Sequence, residues 1–515
     1  LLAMLLCPAG MEAKKKVKKA EVPQLANFPS TATDGQLLRG GDVLLRVRLT
    51  LPDDAKNALE EERKDRLKQL AQRLNAVSPV VYLRKYVLNT EKVRPLTFSD
   101  DGTIHTTLHV PYAMYVYAHP FGNIYMCPGD TVDITMDAGK KSREEAVRMG
   151  GTGLSGEVNR LTPEIDKRYI PRQSRYTTSN ADSLMAWRNE QIARMDSMVM
   201  RMNEGLPELK DCSPQASDII RSYILASHLE KVASPYQWFC ESSGLFQASA
   251  KQDLTALCRS YFDFLAPREK YLTNNPVLMI TANDIFFNRL EFTALRPISH
   301  GFLIGHEQAL QQVCDVLHLD KGDFTTQVCM LRAVFYELKH LGFYNNDNDQ
   351  RAEAMASVMP HITNPALARQ AVLAYRDFVK QTETVTAENK PMTKGDSIFQ
   401  RIVEPYKGNV LSVDFWEMSC GPCRAGMLRE RESVEQLKDK PIRFLYVTDD
   451  EPDKCNKWMD ENNIRGEHIF ITRVEWGLLQ EKFNFSGIPF HVYVDKAGKV
   501  RTEIDRFSYQ QLLNE

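Results

Sequence analysis

Residues 410–424 read Val-Leu-Ser-Val-Asp-Phe-Trp-Glu-Met-Ser-Cys-Gly-Pro-Cys-Arg. The apolar run up to Trp416 is long enough for one buried strand, and residues 424–437 favour a helix. The sequence therefore places Cys420 where a strand leads into the start of a helix. Unpaired backbone N–H groups and the positive end of the helix dipole stabilise a thiolate there, and only a thiolate attacks a disulfide. We predict a site of thiol–disulfide exchange.

The two cysteines are spaced as a dithiol that can close on itself. The i, i+3 spacing puts Cys423 one turn after Cys420, close enough to resolve a mixed disulfide. We therefore assign Cys420 as the attacking thiol and Cys423 as the more buried resolving thiol. Gly421 lets the chain turn sharply, and Pro422 fits the first helical turn, where a missing N–H costs little.

A CxxC pair also occurs in zinc sites and in structural disulfides. A zinc site needs a second pair or nearby histidines, and the chain has no other CxxC motif, so we assign no metal ligand. A structural disulfide stays open as the plainer alternative, although it needs no placement between a strand and a helix. Because the two sulfur atoms carry the electrons themselves, exchange at this pair needs no dissociable cofactor.

Strands alternate with helices in the rest of the C-terminal region, which predicts an α/β domain over residues 396–515. The segment Gly487-Ile488-Pro489 precedes a strand near the end of this domain. The expected elements after the dithiol are a strand at 443–448, helices near 453–462 and 476–483, strands at 491–494 and 499–504, and a terminal helix near Tyr509.

Three motifs in this order resemble the signature of the thioredoxin superfamily: residues 413–416 (Val-Asp-Phe-Trp), 420–423 (Cys-Gly-Pro-Cys) and 487–489 (Gly-Ile-Pro). The chain is most similar to the TlpA-like branch of exported bacterial thioredoxins. In that branch a Gly-Asp segment and a Lys-Gly pair commonly precede the first core strand, as at 394–396 and 407–408 here.

The resemblance implies roles for further residues. Pro489 is expected to be cis and to lie against the dithiol, and the backbone of Ile488 to bind a substrate chain. Asp414 is expected to be the buried carboxylate that assists proton removal from Cys423. Trp416 is expected to pack beneath the site. Together with Gly421 and Pro422 it is expected to contribute to the binding of a substrate. The chain departs from the family at Ser419, where a Trp is usual, and at Gly426, where many exported reductases carry an acid.

Residues 26–145 alternate between apolar and polar side chains and predict an antiparallel β-sandwich. The alternation is clear at 43–50, 104–110 and 132–136, with turn residues at 100–102 and 128–130. The charged stretch 54–76 is expected to be an inserted surface helix.

Residues 146–380 predict a helical domain, which makes the chain multidomain. Candidate helices lie near 181–204, 215–232, 252–265, 307–318, 324–341 and 364–380. The Asn- and Asp-rich run 345–349 lacks the Gly and Glu of a calcium loop and is interpreted as a turn. The polar residues 381–395 predict a linker. A sandwich followed by helices resembles larger TlpA-like proteins of Gram-negative envelopes.

The N-terminal residues 1–25 resemble the end of a secretory signal followed by a basic tail. An apolar run, Leu1 to Leu6, precedes small residues and the basic run 14–19. This pattern predicts export, and the resemblance to TlpA-like proteins implies the periplasm or cell envelope of a Gram-negative bacterium. Cys7 would allow lipid anchoring, but Leu6 stands where a small residue is wanted, so anchoring is not favoured. The basic run is expected to be solvated, with peripheral membrane association as the alternative.

Composition narrows the function further. The chain has 65 basic and 67 acidic residues, and a net charge of -2 gives no reason to expect nucleic-acid binding. Three functions stay open. The first is a reductase of client proteins with disulfides, recharged by a membrane or envelope electron donor. The second is an oxidase or isomerase with the same dithiol, and the third is a partner-binding scaffold protein with the dithiol as a redox switch.

Overall fold

A computed structural model describes residues 22–26, 38–52, 58–77, 79–85, 90–172, 176–242, 251–277, 284–290, 311, 314–340, 348–385, 392–483, 485, 488–501 and 513. Nearly all of the predicted signal remnant, Gly487, half of the helix predicted at 307–318 and the helix near Tyr509 lie outside these residues. Among the helices that are described, each is too short or too polar to cross a bilayer.

Eight strands and one long helix precede the helical region. The strands are β1 (Gly41–Thr50), β2 (Val80–Lys85), β3 (Thr90–Pro95), β4 (Thr103–Val110), β5 (Met114–His119), β6 (Gly122–Met126), β7 (Thr131–Asp137) and β8 (Val147–Gly151). The inserted helix is α1 (Glu60–Ala76), and Ala71 is its buried residue. The strands form two four-stranded sheets, in the orders β4-β1-β7-β8 and β3-β2-β5-β6.

The first sheet departs from the prediction in two ways. Strand β1 pairs with β7 in parallel, with Leu45 opposite Val132, so the antiparallel prediction is wrong for this pair. Alternation has the same period in parallel and antiparallel strands, and the sequence therefore could not separate them. Strand β8 lies beyond the predicted boundary at residue 145 and pairs with β7.

The helices that follow are α2 (Arg143–Ala146), α3 (Gly153–Tyr169), α4 (Ala181–Glu204), α5 (Pro214–Ser242), α6 (Lys251–Phe262), α7 (Asp284–Arg289), α8 (Phe324–His340), α9 (Asn348–Val358) and α10 (Pro365–Val385). Helix α4 begins and ends where its apolar period predicts. Helix α9 begins at Asn348, so the predicted turn at 345–349 is wrong for its last two residues. Helix α10 runs into the predicted linker.

The two sheets and the helices share one hydrophobic core. The ring of Tyr115 on β5 stacks on Tyr223 of α5, with centroids 4.2 Å apart. The Tyr223 hydroxyl donates to Oδ1 of Asp166 at 2.7 Å and accepts from Nδ2 of Asn123 at 2.8 Å. These contacts join sheet and helices across the predicted boundary between residues 145 and 146.

The C-terminal region is an α/β unit with its own core. Its elements are α11 (Lys394–Val403), β9 (Val410–Phe415), α12 (Gly421–Gln436), β10 (Ile442–Thr448), α13 (Pro452–Glu461), β11 (Glu467–Phe470), α14 (Arg473–Phe483), β12 (Phe490–Val494) and β13 (Val500–Arg501). The sheet order is β11-β10-β9-β12-β13. Strand β9 is central and wholly buried, parallel to β10 and antiparallel to β12. One hydrophobic cluster covers each face of the sheet.

Helix α11 was not predicted and begins inside the predicted linker 381–395. Thr393 and Asp396 form a capping box at its start. Asp396 also lies 2.5 Å from Nζ of Lys482 on α14. Burial would raise the pKa of Asp396, but the bonds from Lys482 and Thr393 outweigh it and lower the pKa to about 2. A Cβ on Gly395 would lie 2.6 Å from the Leu478 carbonyl oxygen, which explains the Gly-Asp pair.

Candidate active site

Cys420 and Cys423 are joined by a disulfide at the start of α12, with their Cα atoms 5.3 Å apart. Cys420 is the N-cap residue of this helix, so the strand-to-helix placement expected from the sequence is present. The backbone N–H of Cys423 donates to Sγ of Cys420 at 3.1 Å. In the reduced protein the same N–H and the helix dipole would stabilise a thiolate on Cys420.

The two sulfur-bearing residues differ in exposure. Cys420 is 9% exposed and Cys423 is 1% exposed. Pro422 is exposed and Gly421 is half-buried, so a client can approach the Cys420 side of the pair. This is the arrangement that an attacking and a resolving thiol require.

Asp414 lies on the central strand, beneath the dithiol. Side chains alternate along β9, and those of Leu411, Val413 and Phe415 enter the cluster on one face. Asp414 therefore points to the other face, whose cluster contains both cysteines. It is buried, and Nδ1 of His491 lies 3.6 Å from its Oδ1. His491 was not identified from the sequence, because only the β9–β12 register places it opposite Asp414.

Trp416 supports the site from below. Its side chain has no exposed surface, so it packs under the dithiol and does not offer a contact to a client in this structure. Its ring lies 5.8 Å from the ring of Trp458 on α13. The guanidinium of Arg424, next to Cys423, lies 5.9 Å from the Trp458 ring.

The peptide bond between Ile488 and Pro489 is cis, as the resemblance implies. Ile488 is partly buried and packs against the hydrophobic clusters on both faces of the sheet. The next residue, Phe490, begins β12 and pairs with Phe415 at the end of β9. Ile488 therefore lies at the sheet edge from which the chain leaves β9 toward the dithiol.

The turn before Cys420 is held by carboxylates. The backbone carbonyl oxygen of Glu417 accepts a hydrogen bond from the backbone N–H of Cys420 at 2.9 Å. The side-chain Oε2 of Glu417 accepts a hydrogen bond from the Ser419 hydroxyl at 3.2 Å. The N–H of Met418 donates to Oδ2 of Asp450 at 2.5 Å. Ser419 is exposed, so the position where the family usually has a Trp is open to solvent.

An ion pair between a half-exposed arginine and a buried carboxylate lies beside this turn. Nη1 of Arg473 is 2.6 Å from Oδ2 of Asp449, whose side chain is 0% exposed, and it donates to Oε1 of Glu417 at 3.2 Å. Neither oxygen of Asp449 accepts a hydrogen bond from the residues described here, so the contact is an ion pair without a directed hydrogen bond. Burial raises the pKa of Asp449 to about 7, against the opposing charge of Arg473 and with support from Glu417 and Asp450.

These residues were missed in the sequence, although a signal existed. Asp449 and Asp450 directly follow β10, which is parallel to β9. The carboxyl ends of parallel strands meet at one edge of a sheet, so the pair had to lie near the turn that leads to Cys420. Arg473 could not be found in this way, because it comes from a helix that packs there only in the folded chain.

Of the other described cysteines, Cys455 belongs to the same hydrophobic cluster as the dithiol, and the rest lie in the N-terminal core. Burial raises the pKa of Cys127 to about 12 and the pKa values of Cys314 and Cys455 to about 11. It also raises the pKa of Cys258 from its usual value. In the part of the chain that the structure describes, no three histidine, cysteine, aspartate or glutamate side chains come together as metal ligands.

The C-terminal part of the chain matches one family model. Residues 392–510 match the model of the AhpC/TSA family. No curated protein matches the chain. Among solved structures, the chain is similar to the thioredoxin domain of a thiol-disulfide oxidoreductase from Bacteroides vulgatus, at 23% identity over 19% of this chain and 71% of that chain, with a TM-score of 0.18.

Two further structures are a thioredoxin-family thiol:disulfide interchange protein from Chlorobium tepidum and a thioredoxin-like protein from Bacteroides caccae. The first is 16% identical over 22% of this chain and 82% of that chain, with a TM-score of 0.19. The second is 16% identical over 51% of this chain and 91% of that chain, with a TM-score of 0.22. The family model over residues 392–510 and the dithiol at the helix start support a thioredoxin-superfamily protein with a redox function.

Proposed function

We propose that this chain is a thiol–disulfide oxidoreductase of the bacterial cell envelope, and that it reduces protein disulfides through Cys420 and Cys423. The observation that carries the proposal is the position of Cys420, whose Sγ accepts a hydrogen bond from the Cys423 N–H at the helix start and which is more exposed than Cys423. A thiolate held in this way has a pKa lowered toward neutral pH and is a competent nucleophile.

The reaction has two exchange steps. The Cys420 thiolate attacks one sulfur of the client disulfide, the client S–S bond breaks, and the second client sulfur leaves and takes a proton. Asp414 then accepts the proton of Cys423, whose thiolate attacks Sγ of Cys420. The mixed disulfide breaks, the Cys420–Cys423 bond forms, and the client leaves as a dithiol. Two electrons have passed to the client, and a dithiol donor of the membrane or envelope restores the starting state.

The other residues have supporting roles in this proposal. The backbone of Ile488 binds the client chain beside Pro489, and Gly421 and Pro422 form the adjoining contact surface. The two sulfur atoms carry both electrons, so no dissociable cofactor takes part. The location is the periplasm or cell envelope of a Gram-negative bacterium, and the alternative is peripheral membrane association through the N-terminal residues.

The proposal extends to the N-terminal part of the chain. The branch is TlpA-like, with an additional β-sandwich and a helical region before the thioredoxin-type domain. Both sheets contribute to the core that the helices share, which supports a compact unit attached to the redox domain.

The proposal is tested by client trapping in the full chain. We expect Cys423→Ser to accumulate mixed disulfides with clients, because Cys420 attacks and nothing resolves the product. The Cys420→Ser variant is the matched control and should trap nothing. Binding of a partner that is equal in the wild type and in a variant without both thiols, with no trapped client, would instead support the scaffold function.

A further inference from the structure

The N-terminal sheet contacts the thioredoxin-type domain through β3 and α14. Gly477 is buried in the middle of α14, and a Cβ there would lie 2.5 and 2.7 Å from the two Cγ atoms of Val93. Val93 is only 2% exposed. Beside this contact, Arg94 and Glu481 form an ion pair at 3.6 Å. The helix backbone therefore lies directly against a strand side chain, which fixes the helix position relative to the sheet.

Arg473 stands at the first residue of this docked helix and contacts the dithiol side. It meets Asp449 at 2.6 Å and Glu417 at 3.2 Å. The charge of Arg473 also acts on the N-terminal sheet. Burial lowers the pKa of His119 on β5, and the positive charge of Arg473 lowers that pKa further. Burial would lower the pKa of Arg473 itself. The charges of Asp449, of Tyr82 on β2 and of Glu417 outweigh burial and raise this pKa. Arg473 is thus an electrostatic link between sheet and dithiol turn.

The turn that Arg473 contacts ends at the attacking cysteine. Glu417 holds Cys420 through its carbonyl oxygen at 2.9 Å and Ser419 through its carboxylate at 3.2 Å. Asp450 holds Met418 from the other side. A change in the position of Glu417 is therefore passed to the backbone of Cys420 within three residues.

The charges around the turn are unbalanced without Arg473. Three carboxyl groups, those of Glu417, Asp449 and Asp450, lie on this side of the turn, and Arg473 is the cation that the structure places against the first two. Burial raises the pKa of Asp449 to about 7, so this group adds its negative charge as the pH rises through that value. Negative charge disfavours a thiolate nearby, so a cation held at this place favours the charged form of Cys420.

We propose that Arg473 is a positioning residue for Cys420, and that docking of the N-terminal sheet on α14 fixes Arg473 and so sets the reactivity of the dithiol. The proposal rests on the proposed function, because it concerns exchange at Cys420. It gives residues 26–145 a role in the redox reaction: they hold the helix whose first residue controls the turn before the nucleophile.

The test uses the full chain and measures two properties of Cys420. The first is the pH dependence of its alkylation rate by iodoacetamide in the reduced protein. The second is the equilibrium constant of the Cys420/Cys423 pair with glutathione. The variants are Arg473→Met, which removes the charge, Arg473→Lys, which keeps it, and Gly477→Ala, which forces α14 away from Val93 without changing any charge. Arg465→Met, at an exposed position, is the control.

We expect Arg473→Met to raise the alkylation pKa and to make the pair at least threefold more reducing, which corresponds to about 14 mV at 29.6 mV per tenfold. Arg473→Lys should recover part of the shift, and Gly477→Ala should move both readouts in the same direction as Arg473→Met. Arg465→Met should match the wild type.

The inference is overturned if the wild type exchanges with glutathione and both Arg473→Met and Gly477→Ala have the same equilibrium constant and the same alkylation profile as the wild type. A wild type whose Cys420 neither exchanges nor reacts faster than the other cysteines would contradict the proposed function itself. The two failures are thus distinguished by the wild-type measurement alone.

Discussion

Two regions of this chain hold their cysteines in opposite ways. Cys420 lies at the edge of the C-terminal sheet, where a strand ends and unpaired helix N–H groups begin. Cys258 lies in the core shared by the N-terminal sheets and helices, 1% exposed, and burial raises its pKa. Both side chains are largely withdrawn from water. Reactivity therefore depends on which backbone groups surround the sulfur, and burial alone makes a thiol inert.

The packing of the two regions follows the same division. The N-terminal sheets and the helices share one core, and their buried tyrosines stack and form hydrogen bonds across it. The C-terminal sheet separates two smaller clusters, and the chain passes from one end of β9 directly into α12. The sheet edge is thus the place where polar groups gather: Glu417, Asp449, Asp450 and Arg473.

The largest expected difference between the regions is in thiol alkylation. In the reduced native protein at pH 7, Cys420 should react with iodoacetamide about 1,000-fold faster than Cys127 or Cys258, because both of the latter have raised pKa values. Mass spectrometry of peptides after short labelling measures the rates. Equal labelling of Cys258 and Cys420 in the folded chain would remove the basis of the comparison.

The next effect concerns the stability of the polar sheet edge. The folded pKa of Asp449 is raised from 3.8 to about 7, so the folded state binds more protons than the unfolded state between these values. The stability of the wild type should therefore fall as the pH rises from about 4 to 7. The full shift corresponds to about 4 kcal/mol, and we expect roughly 2 kcal/mol because water that reaches the half-exposed Arg473 also reduces the cost of ionising the carboxylate.

Asp449→Asn tests this expectation. The variant lacks the ionisation, so its stability relative to the wild type should be about 2 kcal/mol greater at pH 8 than at pH 4.5. Urea unfolding followed by hydrogen exchange in peptides from residues 410–448 reports this domain separately. The surface variant Asp453→Asn is the control. A stability difference between Asp449→Asn and the wild type that is the same at both pH values would show that Asp449 is not held neutral by burial.

The smallest expected effect is on the resolving step. Asp414 is buried on the face that holds Cys423, and it is the proposed acceptor of the Cys423 proton. Asp414→Asn should slow release of a client from the mixed disulfide about tenfold near pH 7, which is less than the roughly 100-fold to 10,000-fold typical of general acid–base catalysis. The attack by Cys420 should keep its rate. Stopped-flow measurement of the two steps separates them, and an unchanged second step would exclude this role.

Local features of the active site could be predicted from the sequence, because they depend on neighbouring residues. The strand before Cys420, the helix after Pro422 and the bounds of α4 follow from apolar period and helix-start residues. The resemblance to the family gave the cis form of Pro489 and the burial of Asp414. The sequence also contains the residues of the capping box at Thr393. Because they lie in a polar stretch, residues 381–395 were interpreted as a linker.

The remaining features depend on contacts between distant segments. The parallel pairing of β1 with β7 and the place of β8 beyond residue 145 depend on how the chain returns between sheets. His491 faces Asp414 only through the register of β12. Arg473 reaches the dithiol turn from the start of α14, and Gly477 lets the same helix approach Val93. The periodicity of apolar residues along the sequence carries no information about these contacts between distant segments.

The most direct test of the central claim is the reduction potential of the Cys420/Cys423 pair in the full chain, measured by equilibration in graded thiol/disulfide buffers. A value near or below roughly -250 mV, in the thioredoxin range, is the result expected of a reductase that draws on an envelope electron donor. A value between about -120 and -180 mV would contradict the reductase and make the protein an oxidase or isomerase.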